Sequence, residues 1–131
     1  MNCPVCRDAM IVLEFEQIEI DHCVSCGGIW LDSTELHLLL ESVEERNAFT
    51  RALKKDVRSS EEARKCPICL KPMGKYLYKH NHEGVQLDQC ERGHGLWFDR
   101  GELETVLQSE FAPTSKILKL FQDIFRTAGR R

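Results

Sequence analysis

The sequence predicts a small α+β protein of two metal-stabilised modules, residues 1–63 and 64–131. Each is a β-hairpin followed by a helix, and an amphipathic helix stands at the C-terminal end. Three observations predict it: the placing of the cysteines, an internal repeat that reproduces that placing, and an Asp-x-x-Glu signal at the same point of each repeat. All seven cysteines fall into two copies of one pattern. Cys3 and Cys6 precede Cys23 and Cys26 in the spacing C-x2-C-x16-C-x2-C, and Cys66 and Cys69 precede Cys90. The second copy then breaks step and reads Cys90-Glu91-Arg92-Gly93-His94. Two tetrahedral sites need eight donors, and His94 stands where it supplies the eighth. Two Zn2+ ions per chain, one on four thiolates and one on three thiolates and an imidazole, account for every cysteine.

The repeat is read by sliding the chain on itself. A shift of 67 residues places Cys23 on Cys90, Gly28 on Gly95, Trp30 on Trp97, Asp32 on Asp99 and Glu35-Leu36 on Glu102-Leu103. The front ends superpose at a shift of 63, which brings Cys3, Pro4, Cys6 and Met10 onto Cys66, Pro67, Cys69 and Met73. Four extra residues therefore lie between the ligand pairs of the second module, and Asn81–Gly84 is where a hairpin absorbs them. Such self-similarity implies duplicated units of similar fold.

Within each module a Cys-x-x-Cys knuckle comes first, a tight turn that presents two sulfurs together. Two strands follow. Val12–Glu16 alternates, as does Gln17–Asp21; the second module offers Tyr76–Tyr78 and Val85–Asp88. The returning strand delivers the second pair of ligands and closes a ribbon whose sheet is too small to hold itself together without the metal. Next comes Gly-Ile-Trp-Leu-Asp or Gly-Leu-Trp-Phe-Asp. Asp32 and Glu35, like Asp99 and Glu102, have capping-box spacing, so these carboxylates are expected to start helices rather than perform acid–base chemistry. Trp30 and Trp97 are expected to be core residues. The first helix is expected to run from Ser33 into the fifties or sixties, with Leu36, Leu39, Leu40, Val43, Phe49, Ala52 and Leu53 as its apolar stripe, and to bridge the modules or meet a partner. The second is short, from Arg100 to Ser109, and Pro113 separates it from Ser115–Ala128, whose Ile117, Leu118, Phe121, Ile124 and Phe125 share a face.

Composition narrows the function classes. The formal net charge of the 131 residues is -3, and it is unevenly spread. Residues 1–63 carry six Lys/Arg against thirteen Asp/Glu, and residues 64–131 carry twelve against eight. A broad basic surface for non-specific nucleic-acid binding is absent from the first half. No run approaches the roughly 20 apolar residues of a membrane span. An odd cysteine count and the lack of an apolar leader before Cys3 argue for a reducing, cytoplasmic setting rather than a disulfide scaffold. Neither full site leaves a position for a reacting water, which speaks against Lewis-acid catalysis. Among the other histidines, His80 and His82 compete with His94 from the hairpin tip, His22 reads as a strand residue beside Cys23, and His37 as helix surface.

The stretch Cys3-Pro-Val-Cys6 followed by Ile20-Asp21-His22-Cys23-Val-Ser-Cys26-Gly-Gly-Ile-Trp-Leu-Asp32-Ser-Thr-Glu35-Leu36 resembles the small bacterial proteins of the transcription factor IIB-type zinc-finger family. The copy from Cys66 to Leu103 is similar, departing from the four-cysteine pattern at Gly93 and His94. The resemblance covers residues 1–43 and 64–107 and implies a zinc-ribbon-like module in each. Fold does not carry function with it. The leading expectation is a non-enzymatic, zinc-stabilised adaptor linked to transcription, presenting ribbons and helices to a protein partner, with homo-oligomerisation through helices as one use of them. The alternatives are nucleic-acid binding and a redox or catalytic second site. The nucleic-acid reading rests on Lys71, Lys75, Lys79, Arg92 and Arg100 with Tyr76, Tyr78 and His80.

Overall fold

A computed structural model describes residues 1–15, 18–39, 43–57, 62–80, 83–100 and 102. The expected C-terminal helix Ser115–Ala128, and the second module's helix beyond its capping residues, lie outside these. Hairpin β1 (Ile11–Phe15) and β2 (Ile18–His22) follows the first knuckle, and β3 (Ile29–Asp32) follows the second. The chain continues as α1 (Ser33–Leu39), α2 (Val43–Ala52) and a short strand β4 (Leu53–Lys55). The second module repeats the hairpin as β5 (Gly74–His80) and β6 (Glu83–Gln89), then β7 (Gly95–Phe98). The extra residues lengthen both arms of this hairpin, from five residues per strand to seven.

Two features depart from expectation. The Gly-x-Trp-x-Asp segments are extended and pair with each other. β3 runs antiparallel to β7 with Trp30 opposite Trp97, Ile29 opposite Phe98 and Leu31 opposite Leu96. The two modules thus share one seven-stranded sheet in the order β1-β2-β3-β7-β6-β5-β4. Because Trp30 and Trp97 are repeat equivalents, the register makes a pseudo-two-fold axis pass between them. Each tryptophan lies over the glycine of the other module: a Cβ on Gly28 would stand 2.1 Å from Trp97 Cζ2, and one on Gly95 2.9 Å from Trp30 Cζ2. Only glycine permits that approach.

The second departure is β4. The expected helix stripe stops at Ala52, and Leu53–Lys55 pairs with β5 across the module boundary. The helix region does bridge the modules: Phe49 meets Tyr78 with ring centroids 5.5 Å apart. Period-2 alternation puts opposite faces of the sheet to different uses. On one face Ile18, Ile20, Ile29, Leu31, Leu87, Leu96 and Phe98 form a core with Phe49 and Tyr78, against which Leu36, Ala52 and Leu53 pack. On the other, Trp30, Trp97 and Met73 cluster with the cysteines.

Candidate metal centres

Each knuckle is built by backbone geometry. After Cys6 and Cys69 the chain turns through left-handed Arg7 (φ 68°) and Leu70 (φ 62°), and the N–H groups of Arg7 and Leu70 return to the carbonyls of Cys3 and Cys66 at 2.9 and 2.8 Å. This aims further N–H groups at sulfur. Val5 and Cys6 both donate to Cys3 Sγ at 3.3 Å, and Ile68 donates to Cys66 Sγ at 3.4 Å. Donors of this kind favour thiolate over thiol.

The structure gathers the eight expected residues into two groups of four, Cys3, Cys6, Cys23, Cys26 and Cys66, Cys69, Cys90, His94. Within each group all donor atoms lie within 4.8 Å of one another. A tetrahedral ion with bonds of about 2.3 Å to sulfur sets its sulfurs about 3.8 Å apart. Cys3 Sγ lies 3.7 Å from Cys26 Sγ and Cys69 Sγ 3.8 Å from Cys90 Sγ. His94 turns Nδ1 inward, 3.8 Å from Cys66 Sγ and 3.3 Å from Cys90 Sγ. These bracket the roughly 3.6 Å that a shared tetrahedral Zn2+ gives a nitrogen and a sulfur. The donor sets are full, soft and sized for Zn2+, and the chain has two such sites. When bound, the ion supplies a crosslink between the knuckle and the end of the hairpin.

Titration behaviour agrees with a site made for a cation. Burial pushes Cys26 well above the ordinary thiol range and raises Cys66 to about 11. Cys69 falls to about 6, chiefly through the backbone N–H of Lys71, with His94 and the neighbouring thiols contributing. Four thiolates held this close repel one another, and a divalent cation removes that repulsion while displacing their protons.

The break in the second pattern has a plain geometric form. His94 occupies the place of Gly27, and Gly93 that of Cys26. The left-handed turn moves back accordingly, from Gly27 (φ 81°) to Gly93 (φ 80°), which widens the knuckle by one residue and brings the ring in. That widened knuckle also touches the first module, since Ser33 N–H donates to His94 O at 3.0 Å and Ser33 Oγ donates to Gly93 O. His22 stands outside both groups, with Nδ1 3.0 Å from Gly28 O. His37 is exposed on α1. The side chains of His80 and His82 lie outside the described residues.

The first cap forms as expected: Glu35 N–H donates to Asp32 Oδ1 at 2.7 Å while Asp32 N–H donates to Glu35 Oε1 at 2.9 Å. The second forms in part: Asp99 N–H donates to Glu102 Oε1 at 2.6 Å, but Glu102 N–H donates to the Asp99 carbonyl at 3.1 Å, because the Asp99 carboxylate takes Trp97 and Arg64 instead. Sequence reasoning did not anticipate the ion network beside the second cap. Arg64 joins Asp88 Oδ2 and Asp99 Oδ2, and the buried Lys75 ammonium lies 2.5 Å from Asp88 Oδ1. Asp99 Oδ1 also accepts Trp97 Nε1–H at 2.9 Å. Two residues of the expected basic, aromatic face lie inside instead, since Lys75 and Tyr78 are buried, and Tyr76 hydroxyl turns to Glu91; Lys71, Arg92 and Arg100 are exposed. The repeated Asp21/Asp88 was the signal available in the sequence.

Among the described residues no helix is long and apolar enough to cross a membrane. No curated protein and no solved structure matches the chain. The profile of the transcription factor zinc-finger family, a non-enzymatic structural and regulatory module, matches residues 2–42 and again residues 65–109. With more than half its length so matched and a four-donor cluster in each copy, the chain belongs to this TFIIB-type family and is a tandem, zinc-binding member of it.

Proposed function

We propose that this protein is an adaptor linked to transcription, in which Cys3, Cys6, Cys23 and Cys26 hold one Zn2+, Cys66, Cys69, Cys90 and His94 hold the other, and a protein partner docks on the knuckles. The observation that carries the reading is where the exposed apolar side chains lie. Val5, Val24, Ile68 and Leu70 stand at 41, 37, 45 and 68 % exposure, all on three of the four metal-binding turns. Between the two leading knuckles runs an open groove of about 640 Å³, lined by Val5, Arg7, Pro67 and Leu70 among others. Apolar tips on rigid, metal-locked turns suit protein contact, because little side-chain or backbone freedom is lost on docking. The modules 1–63 and 64–131 are taken to load their ions separately, and seven free thiols suit a reducing, cytoplasmic compartment.

Native mass spectrometry of the untagged chain, alone and after co-purification, tests this. Two zinc ions per chain are expected, with the bound partner lost from a Val5→Asp/Leu70→Asp variant that keeps both ions. A partner retained by that variant, or nucleic acid in place of a protein, would overturn the reading. The same spectrum reports the number of copies, which tests association through the exposed Leu38 and Val43.

A further inference from the structure

The pseudo-two-fold symmetry lets one module serve as a template for what the other lacks. Cross-strand pairing sets six residues in one row across the whole sheet: Val12, Asp21, Trp30, Trp97, Asp88 and Lys75. The row is symmetric except at its ends. At the second module's end Asp88 is neutralised by Lys75 from within the row and by Arg64 from beside it. At the first module's end the counterparts of those two cations are Val12 and Met1. Among the described residues no ion pair reaches Asp21, Asp32 or Glu19.

The neighbouring row sharpens the contrast. Glu14 lies directly opposite Glu19 on the same face, and both are exposed. Like charges so placed destabilise a sheet. Their counterparts in the second module are Leu77 and Gln86, so the scaffold does not require the acids. The strand edges differ in the same sense. β5 is covered by β4, whose Lys54 and Lys55 face Leu77 and Tyr76, and Asp56 N–H continues the ladder to Lys75 O at 2.8 Å. β1, the counterpart of β5, pairs with β2 alone among the described residues and leaves Ile11 and Val12 at 44 and 58 % exposure. An open edge of this kind is a template for another strand.

We propose that β1 is a docking edge for an extended, basic segment of a partner polypeptide, which adds as an antiparallel strand in the register β4 uses on β5. An arginine opposite Val12 then reaches over it to Asp21, and a lysine opposite Glu14 lies over Glu14 and Glu19. This completes on the first module the charge compensation that Lys75 and Arg64 provide within the second. The surface is separate from the knuckle groove.

The test uses the full, zinc-loaded chain and a fluorescein-labelled peptide, Thr-Arg-Ala-Leu-Lys-Lys-Arg, which is residues 50–56 with the last position made basic. Saturable binding is expected, with slower amide exchange at residues 11–15. Asp21→Asn and, independently, Val12→Lys should each weaken binding roughly tenfold, the loss of one charge-assisted contact. Both variants should keep two zinc ions, which separates this outcome from failure of the metal centres, and Val5→Asp/Leu70→Asp should bind the peptide normally. The proposal is overturned if the peptide with glutamate at its last three positions binds as well, or if neither variant weakens binding. It is overturned equally if the full chain binds only after Lys116→Glu and Lys119→Glu, since residues 103–131 of the same chain would then hold the edge.

Discussion

The first module meets a tryptophan, an aspartate and a strand edge with almost nothing to satisfy them, and the second meets the same three with partners. Trp97 donates its indole N–H to Asp99, whereas Trp30, fully buried, leaves Nε1 without an acceptor. Asp88 has Lys75 and Arg64, whereas Asp21 faces Val12. β5 carries β4, whereas β1 pairs with β2 alone among the described residues. The ribbon and the leading Cys-x-x-Cys knuckle are nonetheless alike in both. What the difference teaches is a division of labour: metal, caps and the tryptophan seam suffice to build a module, and the ion network and extra strand stabilise the second further. Among the described residues the first module's acids lack the cations that the second supplies to its own.

The largest break in that comparison is metal loss. Structural zinc contributes on the order of 10–16 kcal/mol to folding in small metal domains. His94→Ala should therefore bind one zinc ion instead of two by native mass spectrometry. Hydrogen exchange should rise across β5–β7, while the Cys3, Cys6, Cys23, Cys26 site stays loaded. Retention of both ions with unchanged exchange would exclude His94 as the eighth ligand.

Next is Lys75→Met. It leaves Asp88 buried with Arg64 as its remaining partner, and breaking a buried pair costs about 3 kcal/mol. Burial already raises the Asp88 pKa against both cations. Denaturant unfolding should show the loss, and Val12→Lys, which installs a lysine at the equivalent place in the first module, should not cause one. The glycines at the seam follow, at about 1–3 kcal/mol for overpacking. Gly95→Ala should cost more than Gly28→Ala. Its Cβ would stand 2.3 Å from the Leu31 carbonyl and φ there is 154°, so backbone clash and backbone strain add, while Gly28 confronts the Trp97 side chain. Thermal unfolding of the two variants ranks them. Smaller still is the tryptophan pair. Trp97→Phe should exceed Trp30→Phe by about 1 kcal/mol, the net worth of one hydrogen bond, since only Trp97 has one to lose.

The caps add a pH signature. Burial, reinforced by Asp32, raises Glu35 from 4.5 to about 7, and burial with Asp99 raises Glu102 from 4.5 to about 8. A carboxyl raised in the folded state favours folding in its protonated form. That contribution is complete below pH 4.5 and is lost as pH climbs through 7 in the first module and 8 in the second. Metal binding has the opposite slope, because protons compete for thiolates as pH falls. Thermal melts at saturating zinc between pH 6 and 9 should therefore show a decline that Glu35→Gln and Glu102→Gln each flatten, the latter at the higher pH.

Much of the molecule was legible in the chain because its signals are local. A Cys-x-x-Cys pair specifies one turn and two sulfurs, and His94 could be chosen from the arithmetic of eight donors and the glycines around it. Asp32/Glu35 and Asp99/Glu102 announce helix starts three residues apart. The β3–β7 pairing carried no such signal. Ile29–Asp32 is four residues long, too short for its alternation to separate a strand from a helix approach. Leu53 fits a helical stripe as well as it fits β4, since either conformation buries it. The charged residues misled for a related reason: Lys75 and Tyr78 look like a binding face until Asp88 and Phe49 are found against them.

By itself the sequence determined the two metal centres, the duplicated ribbon and the caps, because these depend on residue type at short spacing and on a repeat visible by eye. Only the tertiary structure decided how the copies meet. Trp30 and Trp97 stand 67 positions apart, and what joins them is the fit of each indole over the other module's glycine. That fit depends on three-dimensional shape at a seam between two modules, and it also sets which strand lies outermost and which acids lack an ion pair among the described residues.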